Sequence, residues 1–198
     1  SRATDAALIT IDVSAGIQVG TQQVWRNTNR QKLARGIVVT GLDKENTDFF
    51  KVLEAIQTAF GANCVPVTIP LPDKSGVVDV LAAKNVPAAV KEKVDEIKGQ
   101  LVERAAETND SLIEKFLGGE ELSAEEIGNG LRAAVRNGGL VPVFACVAPK
   151  AIGLTELLDG IERLFPAPAD LAPVAMGLPS ASTGARSAGA GNRRSMPR

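Results

Sequence analysis

Apolar positions along the chain fall into two kinds of pattern, and their order predicts an architecture. Ala6-Ala7-Leu8-Ile9-Thr10-Ile11-Asp12-Val13 and Gly36-Ile37-Val38-Val39-Thr40 are near-continuous apolar runs, as expected of strands buried on both faces of a parallel sheet. A helical stripe follows each. Val19 to Leu33 reads as a helix with Val24, Trp25 and Thr28 on one side. Asn46 to Phe60 places Phe49, Leu53, Ile56 and Phe60 at spacings of four, three and four, with Gly61 as the stop.

The next stretch is different. Cys64-Val65-Pro66-Val67-Thr68-Ile69 predicts a third strand, with Pro66 pointing to an edge or irregular position. Gly76 to Leu81 predicts a fourth, paired with it as a hairpin. Three helices follow in succession. The first opens at Pro87, which suits a first helical turn, and carries Val90, Val94, Ile97, Leu101 and Ala105. The second runs from Ser111 to Leu117 and stops at Gly118-Gly119. The third starts at the capping box Ser123-Ala124-Glu125-Glu126 and reaches about Arg136 through Ile127, Leu131 and Val135. Asn137-Gly138-Gly139 then turns into another buried strand, Leu140 to Val147. Leu154, Leu157, Leu158, Ile161 and Leu164 make the last amphipathic helix. Alternating strands and helices predict a doubly wound α/β sheet, interrupted by an inserted subdomain over 64–138. Residues 169–198 are rich in Pro, Ala, Gly and Ser and are expected to be disordered or the product of a reading-frame error.

Composition narrows the chemistry. The 198 residues carry 22 basic and 23 acidic side chains, a net charge of -1, so no global excess argues for nucleic acid, although a local basic face remains open. There is no histidine, which excludes Ser-His-Asp triads and His-ligated zinc for this chain acting alone. Cys64 and Cys146 lie in Val-rich runs and read as buried, reduced thiols. No apolar run approaches a membrane span, and a cytoplasmic location is expected with no membrane partner. The start at Ser1 rather than Met hints at a fragment.

Several segments, in order, resemble the elongation factor G family of translational GTPases. Thr4 to Asp12, then Ala15-Gly16-Ile17 and Gln22-Gln23-Val24-Trp25, resemble the strand and helix after that family's switch II. Ile37 to Phe49, Ile-Val-Val-Thr-Gly-Leu-Asp-Lys-Glu-Asn-Thr-Asp-Phe, is similar to its base-recognition segment, close to I-V-V-N-K-L-D-R-E-N-A-D-F. Gly76-Val77-Val78-Asp79, Thr108-Asn109-Asp110, Ile113-Glu114-Lys115-Phe116, Gly119-Glu120-Glu121-Leu122 and Val141-Pro142-Val143-Phe144 match as well, so that the likeness covers roughly 2–168. The resemblance implies a partial P-loop GTPase: 1–63 and 139–168 as the C-terminal half of a G domain, 64–138 as its inserted α+β subdomain.

In such GTPases Asn-Lys-x-Asp reads guanine beyond a strand end, the usual ligand crevice of open α/β sheets. The Asp accepts from guanine N–H groups, the Lys stem covers the base and the Asn ties the loop. Here Asp43 is kept, Thr40 replaces Asn and Gly41 replaces Lys. Asp43 then either retains a guanine contact or serves only as a strand-end turn or helix N-cap. The second base loop, Gly-Ser-Ala in the family, aligns with Cys146-Val147-Ala148. Val147 removes the serine hydroxyl and Pro149 brings no N–H, while Ala148 and Lys150 match. Losing such partners can reduce base discrimination by as much as ~10⁴-fold.

No Gly-x-x-x-x-Gly-Lys-[Ser/Thr] occurs in the sequence, nor do the switches. The family's cofactor is GTP with Mg²⁺, but this chain alone is expected to bind neither tightly and not to hydrolyse GTP. The implied parent function is GTP-dependent ribosomal translocation. The alternative is a non-enzymatic scaffold that binds the ribosome or the ribosomal stalk protein, without sequence-specific nucleic-acid contact. The charged helices of 87–136 are either a solvated face or that docking surface. Lys84-Asn85-Val86-Pro87 joins hairpin to helix directly, a shorter insert than is usual in the family.

Overall fold

The computed structural model describes residues 4–83, 86–120 and 122–166. The resemblance-based expectations for Lys84, Asn85 and Glu121, and for 169–198, lie outside them.

Parallel pairing builds the main sheet in the order β1 (Ala6–Asp12), β2 (Ala34–Thr40), β6 (Val141–Ala145), β3 (Cys64–Pro66). Each pairing is parallel, with Asp12 opposite Thr40 and Val39 opposite Ala145, so β1, β2 and β6 finish at one edge. Helices α1 (Val19–Arg30) and α2 (Phe49–Phe60) return the chain after β1 and β2. They meet through Trp25 and Phe60, whose rings stack at 4.4 Å. The fold is α/β, as the buried runs predict.

β3 departs from the expected hairpin. Cys64–Ile69 is two short strands, not one: Cys64–Pro66 joins β6 in the parallel sheet, and β4 (Thr68–Pro70) pairs antiparallel with β5 (Val77–Asp79). Pro66 has no N–H with which to extend a ladder. The chain therefore pivots at Val67, which donates to the Val143 carbonyl at 2.8 Å and accepts from Val80 N–H at 2.9 Å. One residue thus links the two sheets. Beneath it the buried Thr68 hydroxyl accepts from Ala145 N–H at 2.7 Å.

β1 also departs from its expectation. Ile9 and Ile11 are buried, but Leu8 is 43% exposed and Thr10 is exposed, so the strand alternates. The cause is the reach of α6 (Leu154–Leu164), which packs over β6: a Cβ on Gly160 would stand 2.4 Å from the Phe144 ring. Phe165 just past α6 crosses Gly36 and ends near Leu8, and among the described residues nothing covers the remainder of that face.

The helices α3 (Ala88–Ala106), α4 (Asp110–Leu117) and α5 (Ala124–Asn137) follow the hairpin. All five stripe residues of α3 are buried. α3 and α5 cross so closely at Gly130 that a Cβ there would meet the Ala105 carbonyl at 2.7 Å. The capping box forms as read: Ser123 Oγ accepts from Glu126 N–H at 3.2 Å, and Glu126 accepts from Ser123 N–H at 2.9 Å. Lys115 of α4 joins it at 2.6 Å from Glu126. α4 buries no residue fully and leaves Phe116 and Leu117 exposed. Val24 is exposed too, against the reading that grouped it with the buried Trp25 and Thr28. Insert and sheet residues form one continuous apolar cluster. A clamp reinforces it: Arg163 of α6 donates to Asp79 of β5 at 2.8 Å, and Asp79 also accepts from Leu81 and Ala82 N–H.

Candidate functional site

The loops leaving β1, β2 and β6 converge at one edge of the sheet because the three strands end in register there. Thr40 ends β2, and its carbonyl accepts from Val13 N–H at 2.9 Å, tying the first loop to the second. Cys146 N–H donates to the Val39 carbonyl at 2.9 Å and ties in the third. Gly41 then turns with φ 78°, a left-handed conformation that costs a side-chain-bearing residue ~1–2 kcal/mol. Leu42 plugs the core behind it. Asp43 follows with its side chain 27% exposed and its carboxylate 3.9 Å from the Lys150 ammonium. The two predicted base loops are therefore neighbours.

The helix after this loop is capped by Asp48, which accepts from Phe50 N–H at 2.9 Å. Asp48, not Asp43, is therefore the cap of α2, and Asp43 lies in the turn that follows β2.

In the third loop Val147 N–H donates to the Ile152 carbonyl at 2.9 Å, closing Val147 to Ile152 around a 3-10 turn at Ala148–Lys150. Pro149 has no N–H, and the turn leaves Ala148 N–H without an acceptor among the described residues. Ala148 N–H and the Asp43 carboxylate are thus a free donor and an acceptor on adjacent loops. Guanine's Watson–Crick edge asks for that pair, since O6 accepts while N1 and N2 donate. Thr40, Gly41 and Val147 support backbone geometry, with no side-chain hydrogen bond of their own among those observed.

Four residues that sequence reasoning missed, Asp12, Ser14, Lys44 and Lys74, organise the same edge. Lys44 reaches back 2.6 Å to Asp12 at the end of β1, and 3.0 Å to Ser14, whose hydroxyl and N–H also bond Asp12. The Lys44 ammonium, then Ser14, hold the Asp12 carboxyl well below the usual carboxylate range. The Lys44 chain passes 3.4 Å from where a Cβ would stand on Gly41. It runs across the position left bare by glycine. Lys74, in the turn of the hairpin, donates to the Lys44 carbonyl at 2.7 Å and to Thr47 at 3.1 Å. The insert thereby braces the base loop. No local signal betrays these contacts, which join residues about thirty positions apart.

The residues present fit a guanine edge. Among the described residues there is no group of three or more His, Cys, Asp or Glu side chains placed to hold a metal ion.

A family model described as the elongation factor Tu GTP-binding domain matches residues 1–167. The chain belongs to that family of translational GTPase domains. Among solved structures it is similar to a protein from Thermus thermophilus, at 33% identity and a TM-score of 0.77, over 85% of this chain. The match spans 27% of the Thermus chain. Among the described residues no helix is long and apolar enough to cross a membrane.

Proposed function

We propose that this chain is the guanine-reading half of a G domain of the elongation factor G type, with its inserted subdomain, and that it neither cradles phosphates nor hydrolyses GTP by itself. The observation that supports this most is the adjacency of the Asp43 carboxylate and the free Ala148 N–H beyond the strand ends. Asp43 would accept from the base's N–H groups, Ala148 would donate to O6, and Thr40 and Gly41 would shape the loop beneath. Val147 and Pro149 hold the turn without adding a donor. In the full-length relative the partners would be GTP with Mg²⁺ and the ribosome. The insert, expected over 64–138, would then lie beyond Val67, its hinge to the sheet, because Cys64–Pro66 pairs with β6.

Without a phosphate loop, GTP should bind this chain no tighter than about millimolar, or roughly -4 kcal/mol. Calorimetric titration with GTP, GDP and ATP tests the reading. Guanine nucleotides should bind weakly but ahead of ATP, and Asp43→Ala should erase the difference. A micromolar constant would refute the half-domain reading, and equal binding of GTP and ATP would refute the base-loop assignment.

A second reading rests on α4, where Phe116 and Leu117 stand exposed, and on α3, whose Lys91, Glu92, Asp95 and Lys98 are exposed. Exposed charges of this kind suit a weak, fast protein contact, and the ribosomal stalk protein is the candidate partner. An NMR titration of the chain with the stalk protein's C-terminal domain should shift α3 and α4 resonances and fade with salt. No shifts at either ionic strength would remove this reading.

A further inference from the structure

At the opposite end of the sheet from the base loops lies a buried arginine without a partner. Arg35, near the start of β2, is only 7% exposed, and its buried Nε and Nη1 make no hydrogen bond among the described residues. Side chains alternate across a strand, so Arg35 shares a face with Ile37 and Val39. There the Trp25 ring covers the flat of the guanidinium at 4.3 Å, and Phe60 stacks behind Trp25. The π-face satisfies the cation's plane but none of its N–H groups. Burial pulls the Arg35 pKa below its ordinary value, yet a guanidinium stays charged throughout the working pH range. An unpaired buried charge is costly, so its persistence calls for a counter-ion.

Arg35 lines a cavity of about 360 Å³ together with Asn29, Lys32, Leu33, Arg136, Asn137 and Gly138. Its lining holds three cations, two amides and no carboxylate. Lys32 and Arg136 are exposed and form no ion pair among the described residues. Lys32 occupies the left-handed position after α1, at φ 53°, and Arg136 sits in the last turn of α5. The C-termini of α1 and α5 both end here, and each contributes about -0.5 charge. Against three full positive charges they leave the cavity at roughly +2. Neutralising helix ends therefore does not account for the cluster.

We propose that this cavity is a phosphate-group site, with Arg35 as its buried anchor and Lys32 and Arg136 as its rim. Arg35 Nη2 marks the mouth, 3.4 Å from where a Cβ would stand on Gly138. Asn29 and Asn137 add amide donors to the same lining. The group is either a free phosphate ion or a phosphodiester of RNA, which present the same oxygens to the same donors.

Trp25, the sole tryptophan, reports directly on Arg35. Titrating the full chain with inorganic phosphate, against chloride at matched ionic strength, should give a saturable change in Trp25 emission. The thermal midpoint should rise about 3–6 °C at ten times the dissociation constant. Arg136→Gln and Lys32→Gln change exposed residues and should each weaken phosphate about three- to tenfold. Arg35→Met, which keeps an apolar stem against Trp25, should abolish the response while leaving the fold cooperative. A parallel titration with a short oligouridylate separates the sources. Affinity more than tenfold above that of phosphate, with a salt slope reduced by about 0.7 in Arg136→Gln, identifies an RNA backbone. Affinity equal to that of phosphate identifies the free ion. A phosphate titration no different from chloride, or a response unchanged in Arg136→Gln and Lys32→Gln, overturns the proposal.

Discussion

Replacing Asp79 by alanine should be strongly destabilising. Asp79 is 8% exposed and serves three donors at once: Leu81 N–H at 2.8 Å, Ala82 N–H at 3.0 Å and Arg163 Nη2 at 2.8 Å. The first two bonds resemble a helix cap, worth ~1 kcal/mol together. The third leaves Arg163, whose Nε is already buried without a partner, with a further half-buried donor unpaired. A charged hydrogen bond of this kind is worth ~1.5–3 kcal/mol. The sum is about 2.5–4 kcal/mol, a large fraction of the ~5–15 kcal/mol that holds a typical domain. At ~2–4 °C per kcal/mol for this size, the midpoint should fall by about 5–16 °C. Circular-dichroism melts and urea titrations of Asp79→Ala, Arg163→Met and the double variant would measure it. The cycle should return a coupling of ~1.5–3 kcal/mol. A loss under ~1 kcal/mol, or no coupling, would show that hairpin and α6 are not clamped, and that the insert is held to the sheet by apolar packing alone.

Three further outcomes follow from particular contacts. Glu126, held down to about 2 by Lys115 and then by the Ser123 N–H and hydroxyl, contributes stability present above its unfolded value near 4.5 and lost as pH falls toward 2. Urea midpoints between about pH 6 and pH 2.5 should therefore decline less steeply in Glu126→Gln than in the parent, and parallel slopes would refute the coupling. Gly160→Ala drives a methyl to 2.4 Å from the Phe144 ring and should destabilise by ~1–3 kcal/mol, checked by the same melts. Cys64 and Cys146 are both buried, and burial pushes the Cys64 thiol up to about 12; the native protein at about pH 8 should resist iodoacetamide, and rapid double alkylation would contradict the packing described.

Much of the fold was legible because local signals and burial agree. The stripe of α3 and the Ser123–Glu126 capping box are readable without neighbours, since spacing and backbone chemistry suffice. What failed depended on tertiary context. Val67 could not be picked out as a pivot, because its two bonds run to Val143 and Val80 in different sheets. Leu8 looked like core until the reach of α6 was known. The helix Ser111 to Leu117 was readable, but not that its Phe116 and Leu117 face outward. The loop chemistry divides in the same way. Asp43 and Ala148 were singled out by motif position, and the structure brings their two loops side by side. Asp12, Lys44 and Lys74 meet only because three strands end together, and Arg35 reads in sequence as one more charge beside an apolar run.

The Gly41 position bears on what has been kept and what has been lost at the base loops. In the family motif the lysine stem at the second position covers the base face and the asparagine at the first ties the loop. Here the bracing is performed by Lys44, whose ammonium joins Asp12 and Ser14 across to the β1 loop. Glycine at 41 makes room for that route and tolerates φ 78° without strain. Loop geometry is thus maintained from three residues downstream, while no stem leaves position 41 to cover a base. The pair proposed to distinguish guanine from adenine, Asp43 and Ala148, does not depend on that stem. Preference for guanine should then outlast most of the affinity. Lys44→Met, which cuts the brace but leaves both edge contacts in place, should diminish that preference by loosening the loop, with little effect on global stability because the Asp12–Lys44 pair is exposed. A GTP-over-ATP ratio unchanged in Lys44→Met would mean that Thr40, Leu42 and the strand ends position Asp43 without it.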